Sequence, residues 1–198
     1  MNLSALPFLK RLHLLGLRKA AADGIFITGD VSSGRWLESD LSFLARNFPG
    51  PIYFVLGNHD YHGRHIASVH SDVRRLCREH PNLVWMTDAG IVSLTEDVAV
   101  IGAEGWYDAA LGDPELLKLT TDWFRTFDFL HLETHAERLD MWRSMAHVSA
   151  HLIEERLEEA LESHKTVYIL THFPPWKEAT RDVGTILEPF WLPYNTNT

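Results

Sequence analysis

A chain of 198 residues with 45% hydrophobic and 23% charged content can bury a sizeable core and has the composition of a globular protein. Its net charge of −9 argues against a surface built to neutralise nucleic-acid phosphates. The single cysteine, Cys77, leaves no internal disulfide, and no run approaches the roughly 18 apolar residues that a membrane span needs.

The leucine-rich stretch from Leu12 to Leu17 is short and closely flanked by Lys10, Arg11, Arg18 and Lys19, unlike a secretion signal. With Ser4 and Pro7 as start signals, residues 4–22 read as an amphipathic helix, and a cytoplasmic location is expected. The run Ile25 to Thr28 reads as a strand that ends in Gly29-Asp30. A helix follows on the spacing of Leu37, Leu41, Leu44, Ala45 and Phe48, and Pro49-Gly50-Pro51 ends it. Ile52 to Leu56 is a second buried strand, stopped by Gly57 and followed by Asn58, His59 and Asp60. Ile66, Val69, Val73, Leu76 and Cys77 mark another helix, closed by Pro81. Three short runs, 83–86, 91–94 and 98–101, are spaced like hairpins and predict an antiparallel section.

Asp113-Pro114 has the form of a helix start. From Leu132 to His164 the apolar positions keep a helical period, and Glu154, Glu155, Glu158, Glu159 and Glu162 form its solvated face. A last strand, from Val167, runs into Thr171-His172. The tail from Thr185 has no readable period.

The apolar runs ending at Asp30, Asn58 and His172 share one arrangement: chemistry at the carboxyl end of a strand, where open α/β sheets put it. One helix-containing crossover separates Asp30 from Asn58, so their strands are parallel neighbours about 4.8 Å apart. A carboxylate, an amide oxygen and an imidazole make a mixed ligand set suited to Mn, Fe or Zn. Each residue alone has a plainer role: Asp30 as a cap, Asn58 as a turn residue, His59 as a surface histidine and Asp60 as an orienting residue or the partner of an arginine. Asp30, Asn58 and His172 taken together at parallel strand ends favour ligation, whereas for Asp60 the structural role is preferred.

Gly29-Asp30, Gly57-Asn58-His59-Asp60 and Thr171-His172 resemble three of the five signature blocks of the calcineurin-like metallophosphoesterases. The resemblance implies an αββα sandwich with mixed sheets, here one domain over residues 1–198, incomplete at both ends. It implies that Asp30 bridges two divalent ions, that Asn58 and His172 ligate one of them, and that His59 contacts substrate and acts as general acid. The opening Asp-x-His block is missing, with Arg11-Leu12-His13 in its place, and so is the closing Gly-His-x-His block. The family uses two divalent ions; this chain is expected to keep one weak site. The block after Asp30 lacks the Asp-Arg-Gly of protein phosphatases, and Asp60 stands where those enzymes carry Glu. The implied partner is therefore a small-molecule phosphate mono- or diester, with no nucleic acid and no membrane. The rival expectation is a non-catalytic interaction protein on the same fold, or an inactive fragment. Most of the 12 histidines are discounted, His62, His65, His70 and His80 as exposed or partly packed. Trp106 and Tyr107 are candidates to flank substrate.

Overall fold

The computed structural model describes residues 15–17, 21–182, 185–186 and 190–198. Residues 15–17 are helical, and most of the expected N-terminal helix lies outside the described residues. Strand β1 (Ile25–Thr28) leads through a loop to helix α1 (Leu37–Asn47), then β2 (Ile52–Val55), helix α2 (Ile66–Glu79) and β3 (Leu83–Trp85). These three strands form one parallel sheet in the order β1-β2-β3, with Ile25 opposite Ile52 and Thr28 opposite Val55.

A single helical turn, α3 (Met86–Ala89), carries the chain to a second sheet. Its strands are β4 (Val92–Ser93), β5 (Val98–Gly102) and β6 (Thr166–Leu170); β4 is antiparallel to β5, and β6 is parallel to it. Between β5 and β6 lie an irregular segment, 103–134, and the long helix α5 (His135–Leu161). The segment contains the helix turns Pro114–Leu119 and Phe127–Phe129 and the short helix α4 (Asp122–Arg125). A two-stranded hairpin, β7 (Arg181–Asp182) and β8 (Thr185–Ile186), follows β6.

The expectation of an antiparallel section over residues 83–101 holds only for β4 and β5. Strand β3 pairs in parallel with β2 instead. Helix α2 is a crossover that returns the chain alongside β2, and Leu83 and Trp85 are buried in the same core as Leu76 of that helix.

The period-2 alternation of the strands sorts side chains into layers. Ile52 and Phe54 of β2 share a core with Leu41 and Leu44 of α1 and Val69 and Val73 of α2. Val55 and Tyr53 point the other way and meet Val100 of β5 and Leu170 of β6. Ala99 and Ile101 of β5 then pack on Ile153, Leu157 and Ala160 of α5. The result is helices, sheet, sheet, helix. Each aliphatic side chain fully buried this way contributes about 1.5–3 kcal/mol.

Helix α5 starts where the sequence supplies a capping box: Glu137 N donates to Thr134 Oγ1 at 3.2 Å, and Glu137 Oε2 accepts from Thr134 N at 2.9 Å. Arg156 ties its far end to the sheets by donating to the carbonyls of Met86, Thr87 and Gly102 at 2.7–2.9 Å. The glutamates Glu154, Glu155, Glu158, Glu159 and Glu162 are all exposed. Among the described residues no helix is long and apolar enough to cross a membrane.

Candidate metal centre

Because β1 and β2 are in register, Gly29-Asp30 and Gly57-Asn58 leave their strands side by side. Two glycines allow the close approach. A Cβ on Gly57 would overlap Asp30 Oδ1 and lie 2.5 Å from Asp30 N, and one on Gly29 would lie 2.5 Å from His172 Nδ1. Gly29 also has a φ of +94°, and Asp30 follows at +52°, a left-handed conformation that a non-glycine residue rarely adopts.

Asp60 fastens the two loops together. Its buried carboxylate accepts from the backbone N–H groups of Ser32 at 2.8 Å, Gly57 at 2.9 Å and Val31 at 3.2 Å. Burial pushes this carboxyl up to about 7 against the pull of those three donors, and the charge on Asp30 adds to the rise. Asp60 is thus an anchor, and Asp30 is left facing the cleft.

The third strand end arrives from the other sheet. His172 N donates to the carbonyl of Glu104 at 3.0 Å, and the ring Nδ1 lies 2.8 Å from the carbonyl oxygen of Thr28. A carbonyl only accepts, so Nδ1 carries the proton. In the neutral ring the Nε2 lone pair therefore points away from β1, toward Asn58 Oδ1 at 3.1 Å and Asp30 Oδ1 at 3.5 Å.

Asn58 is held so that its oxygen, and not its nitrogen, faces His172. The amide Nδ2 donates to Asp122 Oδ2 at 2.9 Å. The same carboxylate accepts from Tyr107 OH at 2.8 Å and Thr120 Oγ1 at 3.2 Å, and its Oδ1 lies 2.7 Å from His62 Nε2. Burial by itself would raise Asp122, but its bonds to His62, Tyr107 and Asn58 outweigh that and hold the carboxyl below its usual range.

Three lone-pair atoms, Asp30 Oδ1, Asn58 Oδ1 and His172 Nε2, thus converge with no donor of their own among them. Separations of 3.1 and 3.5 Å are those between neighbouring ligands around an ion with bonds of about 2.0–2.2 Å. The donor set fits a divalent transition ion.

His59 stands beside this cluster, about half exposed, with Nδ1 3.8 Å from Asp30 Oδ2 and its backbone N–H donating to Asp30 Oδ1 at 3.2 Å. Its ring stacks on that of His62, with centroids 4.6 Å apart. His59, His62 and Asp122 also form a group whose ligand atoms all lie within 4.8 Å of one another. Within that group His62 Nε2 and Asp122 Oδ1 are already hydrogen-bonded to each other, which favours a positioning pair over a second ion site.

The cluster opens into a cleft of 370 Å³. Tyr107, Thr120 and Asp122 form part of its wall, and Trp191, Tyr194 and Asn195 from the C-terminal tail form another. A larger hollow between α1 and α2 lies elsewhere, and its Glu38, Arg75 and Glu79 pair with one another.

Several of these residues were not visible in the sequence. His62, expected to be exposed or partly packed, is buried with 6% exposure. Asp122 sits in a segment without periodicity, and the tail that carries Trp191 showed none either. Trp106, a candidate to flank substrate, is instead buried in the core against Tyr61 and Phe129, whereas Tyr107 does line the cleft. His147 and His151 are exposed on α5, and His151 faces Glu155.

A family model described as calcineurin-like phosphoesterase matches residues 5–194. The chain belongs to that family. Its members are hydrolases of phosphoesters that use divalent metals. Among solved structures, TT1561 of Thermus thermophilus is similar, with a TM-score of 0.51 at 17% identity over 89% of this chain and 68% of that one. That likeness is one of fold. No curated protein matches the chain.

Proposed function

We propose that this chain hydrolyses a small-molecule phosphoester, with a divalent cation held by Asp30, Asn58 and His172 and with His59 as general acid. The observation that carries the reading is the convergence of three lone pairs at the ends of β1, β2 and β6, each held by a further hydrogen bond of its residue. Mn, Fe and Zn all suit one carboxylate, one amide oxygen and one imidazole. Bound there, the cation would supply Lewis-acid charge against the phosphoryl oxygens.

The chain's own residues do the rest. Thr28 O and Asp122 orient His172 and Asn58, as outer partners orient metal ligands generally. In the reaction a P–O bond to water forms and the P–O bond to the alcohol breaks. The water gives up a proton to solvent, and His59 supplies one to the departing oxygen. A half-exposed imidazole next to Asp30 is placed to collect its next proton from solvent. Asp30 is read as the carboxylate a second ion would share, and one ion per chain is the expected stoichiometry.

The test is hydrolysis of a panel of activated phosphate mono- and diesters by the protein supplied with Mn. Turnover should appear with Mn and vanish with chelator, and His59→Ala should lower turnover while leaving bound Mn unchanged. Full Mn occupancy with no hydrolysis of any ester would favour a non-catalytic role on this fold.

A further inference from the structure

Resting on that reading, we infer that the cleft selects a phosphodiester monoanion bearing a flat aromatic or nucleobase arm, and that Trp191 is the residue that recognises the arm. Two independent features of the cleft lead here.

The first is charge. Among the described residues no lysine or arginine lines the cleft; the ionisable groups there are Asp30, His59, Asp122, His172 and two tyrosines. Asp122 is hydrogen-bonded by His62, Tyr107 and Asn58, which hold it in its charged form. A divalent ion there would already be offset by the two carboxylates of the cleft, Asp30 and Asp122, so little positive charge is left over for a second phosphate charge. A phosphate monoester carries about −1.5 to −2 near neutrality. Its second charge would find no lysine or arginine partner among the described residues of the cleft, so a diester fits better.

The second feature is the far wall. Trp191 is about half exposed at the cleft and stands perpendicular to Tyr194, with ring centroids 5.6 Å apart. An indole on display is usually a liability, yet the backbone beneath this one is firmly held. Leu192 and Thr196 are buried, Thr196 Oγ1 donates to Leu192 O at 2.9 Å, and Asp108 N donates to Thr196 O at 3.1 Å. Asn197 N donates to Pro174 O at 3.1 Å, only two residues beyond His172, so the wall is indexed to the metal cluster. Asn195 Nδ2 donates to Trp191 O at 2.7 Å, which fixes the turn that presents the ring. A rigid aromatic face in the same cleft as a phosphoryl site is the chemistry that stacks a base or an aryl group.

The experiment has two arms. In the first, kcat/KM with Mn is compared for bis(p-nitrophenyl) phosphate and p-nitrophenyl phosphate. The diester is expected to lead by about tenfold or more. A lead for the monoester overturns the inference and leaves the phosphoesterase reading standing, whereas hydrolysis of neither overturns both. The second arm needs no turnover: calorimetry compares binding of adenosine 5′-monophosphate and ribose 5-phosphate to Mn-loaded protein. Stacking worth about 1–3 kcal/mol predicts that the nucleotide binds about fivefold tighter or better. Trp191→Ala should erase that difference, and Trp191→Phe should restore most of it. Equal binding by the wild type, or a difference untouched in Trp191→Ala, overturns the stacking wall.

Discussion

Asp122 offers the sharpest test of how the site is built, because it touches the proposed metal-binding cluster only through Asn58. Asp122→Ala removes the acceptor for Asn58 Nδ2, for Tyr107 OH and for His62 Nε2 at once. Each polar group left buried without a partner costs about 1–3 kcal/mol. With three such groups, metal-free stability should fall by about 3 kcal/mol or more, read as a shift in the urea midpoint. The second effect is the informative one. A freed Asn58 amide can turn its NH₂ toward the ion, and lost outer-partner bonds weaken metal affinity by about 10–100-fold, or about 1.4–2.7 kcal/mol. Calorimetric titration with Mn should show that loss. Tyr107→Phe is the control: it deletes one bond to Asp122 without releasing Asn58, so it should cost about 1 kcal/mol of stability and leave the Mn affinity alone. If Asp122→Ala is destabilised yet binds Mn within about twofold of wild type, Asp122 supports the fold only and does not orient a ligand.

Two further outcomes follow from the geometry. Gly57→Ala drives a methyl group into Asp30 Oδ1, so it should displace the carboxylate, lower the melting temperature and abolish Mn-induced stabilisation together. His70, where burial and then Arg74 depress the imidazole to about 4 from 6.5, stays neutral in the fold while the unfolded chain takes up a proton below about pH 6.5. Its contribution is thus fully present above about pH 6.5 and is lost as pH falls through 4, by up to about 3 kcal/mol. Asp60, raised to about 7, acts with the opposite sign: the fold takes up its proton first, so its contribution is greatest below about pH 4 and is lost as pH rises through 7. The difference between wild type and His70→Gln in urea unfolding from pH 4.5 to 7.5 isolates the histidine, and a difference that does not vary with pH would refute its neutral burial.

The strand ends were legible because a buried strand announces itself locally: Ile52 to Leu56 and Ile25 to Thr28 are short apolar runs with a stop glycine and a polar cluster behind it. Helix α5 was legible for the same reason, with the Thr134–Glu137 box sharpening its start. Strand direction was not. The run from Leu83 reads the same whether it pairs with β2 or with β4, and only the return of α2 across the sheet decides it. Asp122 and His62 were hidden because their roles exist only across 60 residues of chain, through one bond. A carboxylate amid Trp123 and Phe124 was the one local sign that Asp122 had an unusual partner. The tail reads as structureless because its order comes from scattered bonds to Asp108, Pro174 and Ala146, which leave no period.

The central claim is that Asp30, Asn58 and His172 converge to hold a cation, and Mn titration of wild type beside Asp30→Asn tests it most directly. Asparagine matches aspartate in shape and tolerates the left-handed conformation at φ +52°, so the metal-free variant should melt close to wild type. Wild type should take up one Mn per chain with a clear thermal shift, and the variant should take up none at the same concentrations. Equal Mn binding and an equal shift in both would contradict the account, since Asp30 would then be a loop residue and the three lone pairs would not be a metal site.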